Sequence, residues 1–358
     1  MRVALDCGPL LDPPTGVGRY VDELGRALEA SGVDLVRFAV AMRGSNQTSE
    51  DLPIRRLRLP ARVVQASWRR FGRPAIESLV GDVDVVHASN FVLPALARVP
   101  GAITVHDLSF FRDDTFPGGE RLRDLVPWSL GRASVVITPT RAVADELGER
   151  FGVGDERIVV TPEGVAPHFF GAGPLSSLAL GEMGIPGPFI LALGTIEPRK
   201  NLTRLLAAWE RIRRELEGWR LLIAGPRGWG EELQATEGVM MLGRVGDETL
   251  PGLLASAEIF CYPSLYEGFG LPPLEAMAAG TCAVVGSHAA ALEVVGEAAT
   301  LFDPSDTEAL AESLMSLAGD ADERRRLAMA GRARALSFTW ERTARLTTAA
   351  YRKAMGQK

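Results

Sequence analysis

The chain carries little that would staple, span or export it. Its three cysteines, Cys7, Cys261 and Cys282, are too few and too scattered for a disulfide framework or a zinc site. Each lies in an apolar run, so buried thiols in a reducing compartment are expected. No stretch approaches about 18 consecutive apolar residues, which excludes a spanning helix. The first strand-like run opens at Arg2 and meets an acid at Asp6, leaving no room for the apolar region of a signal peptide. A cytoplasmic protein is therefore expected. Basic charge is also in deficit, 39 residues against 45 acidic, which argues against a nucleic-acid partner held through phosphates. Nothing repeats at a fixed period of roughly 20–50 residues, so a solenoid is excluded.

What is present is an α/β pattern. At 358 residues the chain has length for about two domains. Short β-branched runs at 2–7, 35–40, 83–88, 102–106, 134–138 and 157–161 alternate with helix-period segments in the first half. Runs at 189–193, 219–224, 258–262, 282–285 and 299–302 do the same in the second half. Val17, Val21, Leu24 and Leu28 mark one face of a helix after the first strand. Asn201 is expected to cap a helix whose apolar face holds Leu202, Leu205, Leu206, Trp209, Ile212 and Leu216. Further helices fit 307–318, 321–336 and 339–354. The stretch 167–188 holds four prolines and five glycines with little periodicity, which marks the boundary. The expectation is two Rossmann-like doubly wound parallel-sheet domains: 1–170, a linker at 171–187, and 188–337. A last helix, 338–358, would cross back to the first domain. Ligands in such sheets bind beyond the carboxyl ends of strands, so the loops there hold the candidates.

The most informative segment is Glu267-Gly268-Phe269-Gly270-Leu271-Pro272-Pro273-Leu274-Glu275. Two acids eight residues apart flank a glycine loop that runs into a helix, with Pro272 in its first turn. Both acids can face one cleft while loop and first-turn amides point at an anion. Arg199 and Lys200 follow another strand and precede a helix, a physically reasonable diphosphate clamp. Lys200 is one of three lysines among 36 arginines. Gly16-Val17-Gly18 opens the first helix, where small residues admit close approach of backbone to a ligand. It lacks the spacing of a dinucleotide fingerprint. His106 ends a strand at a carboxyl edge, and His87 is a weaker acceptor-side candidate. His168 and His288 read as structural.

These segments resemble retaining glycosyltransferases of family 4, with the GT-B fold. The likeness runs through Gly16-Val17-Gly18-Arg19-Tyr20, His106-Asp107-Leu108, Gly194-Thr195-Ile196-Glu197-Pro198-Arg199-Lys200-Asn201, Leu242-Gly243-Arg244-Val245 and the paired-Glu segment. It implies transfer of a hexose, mannose favoured, from a nucleotide diphosphate sugar to an acceptor hydroxyl, in glycan, polysaccharide or glycolipid synthesis. GDP-mannose is the first donor expected and a UDP-hexose the second, bound in a cleft between the two domains. By the resemblance, Glu267 contacts donor-sugar hydroxyls and His106 lies near the anomeric carbon. Glu275 meets the ribose, and Gly268 and the amides of Phe269, Gly270 and Leu271 hold the sugar or diphosphate. Val245 borders the nucleobase, and Gly16 and Gly18 cover the donor phosphate. Many family members place an arginine directly after the glycine, where this chain has Thr195.

No metal cofactor is expected. Asp82-Val83-Asp84 imitates a metal-binding D-x-D pair but runs straight into a strand and reads as its start. From Leu52 to Ile76 there are seven arginines and no acid, interleaved with Val63, Val64, Trp68 and Phe71. This segment fits a helix packed by its apolar face, or peripheral contact with an anionic membrane or lipid-linked acceptor. Two other functions fit the same fold: a sugar-nucleotide epimerase, and a nucleotide-sugar-binding protein without activity.

Overall fold

The computed structural model describes residues 1–11, 15–42, 53–230, 232–233 and 236–356. The chain forms two compact units, Met1–Gly164 with Thr339–Lys358, and Val165–Phe338.

The first unit is built on strands β1 (Arg2–Asp6), β2 (Asp34–Val40), β3 (Arg55–Leu57), β4 (Val85–Ala88), β5 (Gly101–Thr104), β6 (Val135–Thr138) and β7 (Ile158–Val160). They make one parallel sheet in the order β3-β2-β1-β4-β5-β6-β7. Every residue of β4, β5 and β6 is buried, because helices cover both faces and leave no side for polar residues. The helix Gly16–Ala30 turns Tyr20, Val21, Leu24 and Leu28 onto that sheet. The helix Trp340–Ala354 joins the same core through Trp340, Ala344, Ala350 and Tyr351.

The second unit has β8 (Phe189–Leu193), β9 (Arg220–Ala224), β10 (Val239–Gly243), β11 (Ile259–Tyr262), β12 (Ala283–Gly286) and β13 (Thr300–Phe302). Its order, β10-β9-β8-β11-β12-β13, reverses direction between β8 and β11. Chains leave these two neighbours toward opposite sides, and the crevice so formed is where open α/β sheets bind ligands. The helix Leu202–Ile212 seals one face with Leu202, Leu205, Trp209 and Ile212. Each such buried side chain is worth about 1.5–3 kcal/mol. The Trp209 indole N–H donates to the Glu237 carbonyl at 2.9 Å, so its burial leaves no polar group unsatisfied.

Four expectations need correction. The stretch 171–187 is not a free linker: it belongs to the second unit, which starts at Val165, and contains the helix Ser177–Glu182. Ile185 is buried in that unit's core beside Phe169 and Phe189, so the boundary lies earlier, after Gly164. Asn201 does not cap the following helix with its side chain; it takes a left-handed conformation (φ 56°) and spends its amide elsewhere. The Arg-rich segment is a composite. Leu52 lies outside the described residues, Arg55–Leu57 forms an edge strand, and the helix is Ala61–Phe71. Finally His87 is a core residue, fully buried, bonded to Tyr351 Oη at 2.7 Å and Thr104 Oγ1 at 2.8 Å. Burial pushes its pKa down to about 3.

Candidate functional site

The two loops that leave β8 and β11 bring together the residues the sequence singled out. After β8, Pro198–Lys200 form a single 3₁₀ turn that Asn201 ends. After β11, the chain runs through Pro263-Ser264-Leu265-Tyr266 to Glu267 and the helix Leu271–Ala278. Two bonds stitch these loops together and a third ties the first of them to the loop after β13. Leu265 N–H donates to the Arg199 carbonyl at 2.9 Å, and Asn201 Nδ2 donates to the carbonyls of Pro263 (3.0 Å) and Pro304 (2.8 Å).

Their side chains then close on one carboxylate. Lys200 Nζ donates to Glu267 Oε1 at 2.6 Å and to Tyr262 Oη at 2.6 Å, and Tyr262 Oη donates to the same Oε1 at 2.9 Å. Arg199 binds the other oxygen, Oε2, and pairs with Glu197 at 2.6 Å. The ammonium of Lys200 also lies 4.7 Å from the centre of the Tyr262 ring. Lys200 and Glu267 are each only 8% exposed, so this is a buried charge cluster with two cations and two carboxylates.

Burial raises the Glu267 carboxyl, but the Arg199 guanidinium and Lys200 ammonium outweigh it and hold the group well below the usual carboxylate range. Glu197 goes the other way: burial raises it more than the same two cations lower it. Burial also lowers Lys200 and raises Tyr262 well above the ordinary phenol. His288, after β12, has burial lowering its pKa against the field of Glu267. Its Nδ1 accepts from Ala291 N–H at 3.2 Å, so its proton sits on Nε2.

Glu275 is 2% exposed on the helix Leu271–Ala278, one turn past its start. Gly270 precedes that helix at φ 108°, a conformation that a side chain would strain. Pro272 and Pro273 have no N–H, so Leu271 supplies the only amide of the first three helical positions. Phe269 is buried edge-on against Phe338 at 5.8 Å. Val245, after the edge strand β10, packs against the core cluster that contains Phe269 and Leu271. Arg199, Lys200, Glu267, Gly268, Phe269, Gly270, Leu271 and Glu275 thus share one end of the second sheet.

The remaining candidates belong to the first unit. His106, after β5, is buried, with Nε2 donating to the Ser89 carbonyl at 2.9 Å and Nδ1 lying 3.3 Å from Glu163 Oε1. The Tyr20 ring meets it edge-on at 4.6 Å. Thr15 caps the helix Gly16–Ala30 by accepting from Gly18 N–H at 3.1 Å. A Cβ on Gly18 would press the Pro9 carbonyl at 3.2 Å, whereas one on Gly16 would meet nothing within 4 Å. Packing accounts for Gly18; at Gly16 the space is open. Asp84 accepts from Arg2 N–H at 2.7 Å, the strand-start role. Among the described residues no group of three or more His, Cys, Asp or Glu is arranged to hold a metal ion. Glu197, Tyr262 and Glu163 were not singled out from the sequence as site residues. The signal for Glu197 was its place two residues before Arg199.

Paired parallel sheets of this order, with charged loops at the switch point, are the architecture of the GT-B glycosyltransferases. Sucrose-phosphate synthase from Thermosynechococcus elongatus matches with a TM-score of 0.75 over 98% of both chains, at 21% identity. The Anabaena protein HepE, solved with UDP and glucose, matches with a TM-score of 0.72 over 98% of both chains, at 18% identity. At these identities the likeness is one of fold. In sequence, residues 14–169 match the profile described as Glycosyltransferase Family 4, and residues 185–334 match Glycosyl transferases group 1. The O-antigen chain mannosyltransferase B of Escherichia coli is 30% identical across 98% of this chain and 100% of its own length. An MMP alpha-(1->4)-mannosyltransferase of Mycolicibacterium hassiacum is 37% identical across 62% of this chain and 54% of its own. The chain belongs to glycosyltransferase family 4.

Proposed function

We propose that this glycosyltransferase moves a hexose, with mannose favoured, from a nucleotide diphosphate sugar to an acceptor hydroxyl, and that the anomeric configuration is retained. GDP-mannose is the donor put first and a UDP-hexose second. The acceptor is a saccharide or a lipid-linked glycan precursor. Mannose is supported by the two relatives named as mannosyltransferases. The observation that carries the donor-site reading is the Arg199–Lys200–Glu267 cluster, built from the two loops that flank the switch point of the second sheet.

Retention through a covalent intermediate needs a nucleophile with a free lone pair. Glu267 is a poor one: Oε1 accepts from Lys200 and Tyr262, Oε2 is held by Arg199, and its pKa is depressed. A same-face displacement fits better. The bond from the anomeric carbon to the β-phosphate oxygen breaks as the acceptor oxygen bonds to that carbon. The acceptor's proton passes to the departing phosphate oxygen. Negative charge gathering on the diphosphate is met by Arg199, Lys200 and the amides of Phe269, Gly270 and Leu271. Side-chain cations take the part a metal plays in other transferases, so turnover needs no divalent ion. Glu267 and His106 orient the sugar, Glu275 holds the ribose, Val245 borders the base and Gly16 leaves room for phosphate. The basic segment 52–76 makes peripheral contact with an anionic partner on the acceptor side.

Incubation with GDP-mannose alone, and with candidate acceptors, tests the reading. Acceptor-dependent release of GDP is expected. Conversion of the donor to another sugar nucleotide without any acceptor would mark an epimerase instead.

A further inference from the structure

The first unit contains a charged cavity that the donor chemistry does not use. It lies between the helices Ala61–Phe71 and Gly119–Leu130, measures about 350 Å³, and is lined by Arg62, Gln65, Ala66, Arg69, Arg70, Arg121, Asp124 and Leu125. That volume is at the small end of ligand pockets. Arg62, Gln65 or Ala66, and Arg69 or Arg70 recur every third or fourth residue, so one helical face supplies them. Arg121, Asp124 and Leu125 are the matching set on the second helix.

Four guanidiniums therefore meet a single carboxylate, in a protein whose net charge is −6. Asp124 is already engaged by Arg69 at 2.8 Å. Arg70 rests over the ring of Phe71 at 5.4 Å. Among the described residues Arg62 and Arg121 have no hydrogen-bond or ion-pair partner. Partial enclosure and the nearby Arg62 both pull Arg121 below the ordinary arginine pKa. An arginine does not escape such repulsion by losing its proton. An entering anion relieves the repulsion, and guanidiniums on two helices match the tetrahedral spread of phosphate oxygens.

We propose that this cavity binds one phosphate group of the acceptor-side partner, gripped by Arg62 and Arg121 with Arg69 and Arg70 at its rim. The proposal rests on the reading that the basic segment meets an anionic partner, and adds Arg121, which lies outside that segment. The phosphate can be carried by a soluble glycosyl acceptor or by a lipid headgroup. Val63 and Phe71, 64% and 69% exposed on the same helix, give the lipid form apolar anchors.

The test uses the full chain at low salt with two probes: sn-glycerol 3-phosphate by calorimetry, and phosphatidylglycerol vesicles by flotation against phosphatidylcholine vesicles. R62Q/R121Q should lose about tenfold or more in affinity for whichever probe binds. The charge-matched R211Q/R325Q, altered on exposed helices of the second unit, should keep wild-type affinity. R62Q/R121Q should also unfold at the same temperature as wild type or higher without ligand, because it removes a repulsion. Binding of glycerol phosphate identifies a soluble source, and binding of vesicles alone identifies a lipid. Absence of binding to both probes, or equal loss in both double variants, overturns the pocket. Stabilisation by GDP or UDP is measured in parallel: if it persists while the pocket fails, the glycosyltransferase reading stands without it.

Discussion

Replacing Lys200 with Met keeps the length of the side chain and deletes one charge from a buried cluster. Arg199 and Lys200 there balance Glu197 and Glu267; without Lys200 the balance falls from neutral to one net negative charge. Both Lys200 and Glu267 are 8% exposed, so water cannot take over the lost contact. Breaking a buried ion pair from one side costs about 3–5 kcal/mol. Arg199 still holds Oε2, so the lower end, about 3 kcal/mol, is expected for Lys200→Met. For a unit the size of Val165–Phe338 that lowers its unfolding temperature by about 6–12 °C. Glu267→Gln alone should cost a similar amount, because it strands Lys200 against Tyr262. The double variant removes both partners and should recover at least about 2 kcal/mol relative to the sum. Urea unfolding of the four proteins, followed by tryptophan fluorescence, measures this. Single variants within about 1 kcal/mol of wild type, or strictly additive losses, would refute the cluster as described.

Tyr262→Phe deletes the hydroxyl that both Lys200 and Glu267 contact. It should lower stability by about 1–3 kcal/mol and impair nucleoside-diphosphate affinity less than Lys200→Ala, which calorimetry with GDP would show. Glu267→Gln should cut turnover of bound donor while sparing free-nucleotide affinity, and Glu275→Gln should do the reverse. The opposite pattern in steady-state kinetics and calorimetry would exchange their roles. Turnover should survive EDTA; loss with recovery on adding Mg²⁺ or Mn²⁺ would show the side-chain cations to be insufficient. Glu267 is depressed in the folded chain against about 4.3 unfolded, so its contribution is complete above that value and lost as pH falls below it. Between pH 5 and 3 the wild type should lose stability more steeply than Glu267→Gln.

Much of the fold was legible because buried parallel strands write themselves as apolar runs. Phe189-Ile190-Leu191 and Val135-Val136-Ile137 could be read directly. β3 could not: Arg55-Arg56-Leu57 sits at the sheet edge, where charge is tolerated and the apolar signal disappears. The helix Ser177–Glu182 is six residues long, too short to show a period, so glycine and proline dominated the reading of its surroundings. The site shows the same division. Arg199, Lys200, Glu267 and Glu275 stood out by motif, but the pairing of Arg199 and Lys200 with Glu267 spans 68 and 67 residues and no local pattern encodes it. Tyr262 closes the apolar run of β11, and nothing local marks its hydroxyl as part of the cluster. Asn201 looked like a cap because capping and left-handed asparagines are indistinguishable in sequence.

The most direct test of the donor site is thermal unfolding of the wild type and K200M/E267Q across GDP-mannose, UDP-glucose and UDP-galactose. A ligand present at 100 times its Kd stabilises the folded chain by about 2.7 kcal/mol. GDP-mannose should raise the wild-type transition, the UDP-sugars should raise it less, and the double variant should lose most of the effect. An equal shift in the double variant would place the donor away from the Arg199–Lys200–Glu267 cluster, and a shift with UDP-sugars alone would contradict GDP-mannose as donor.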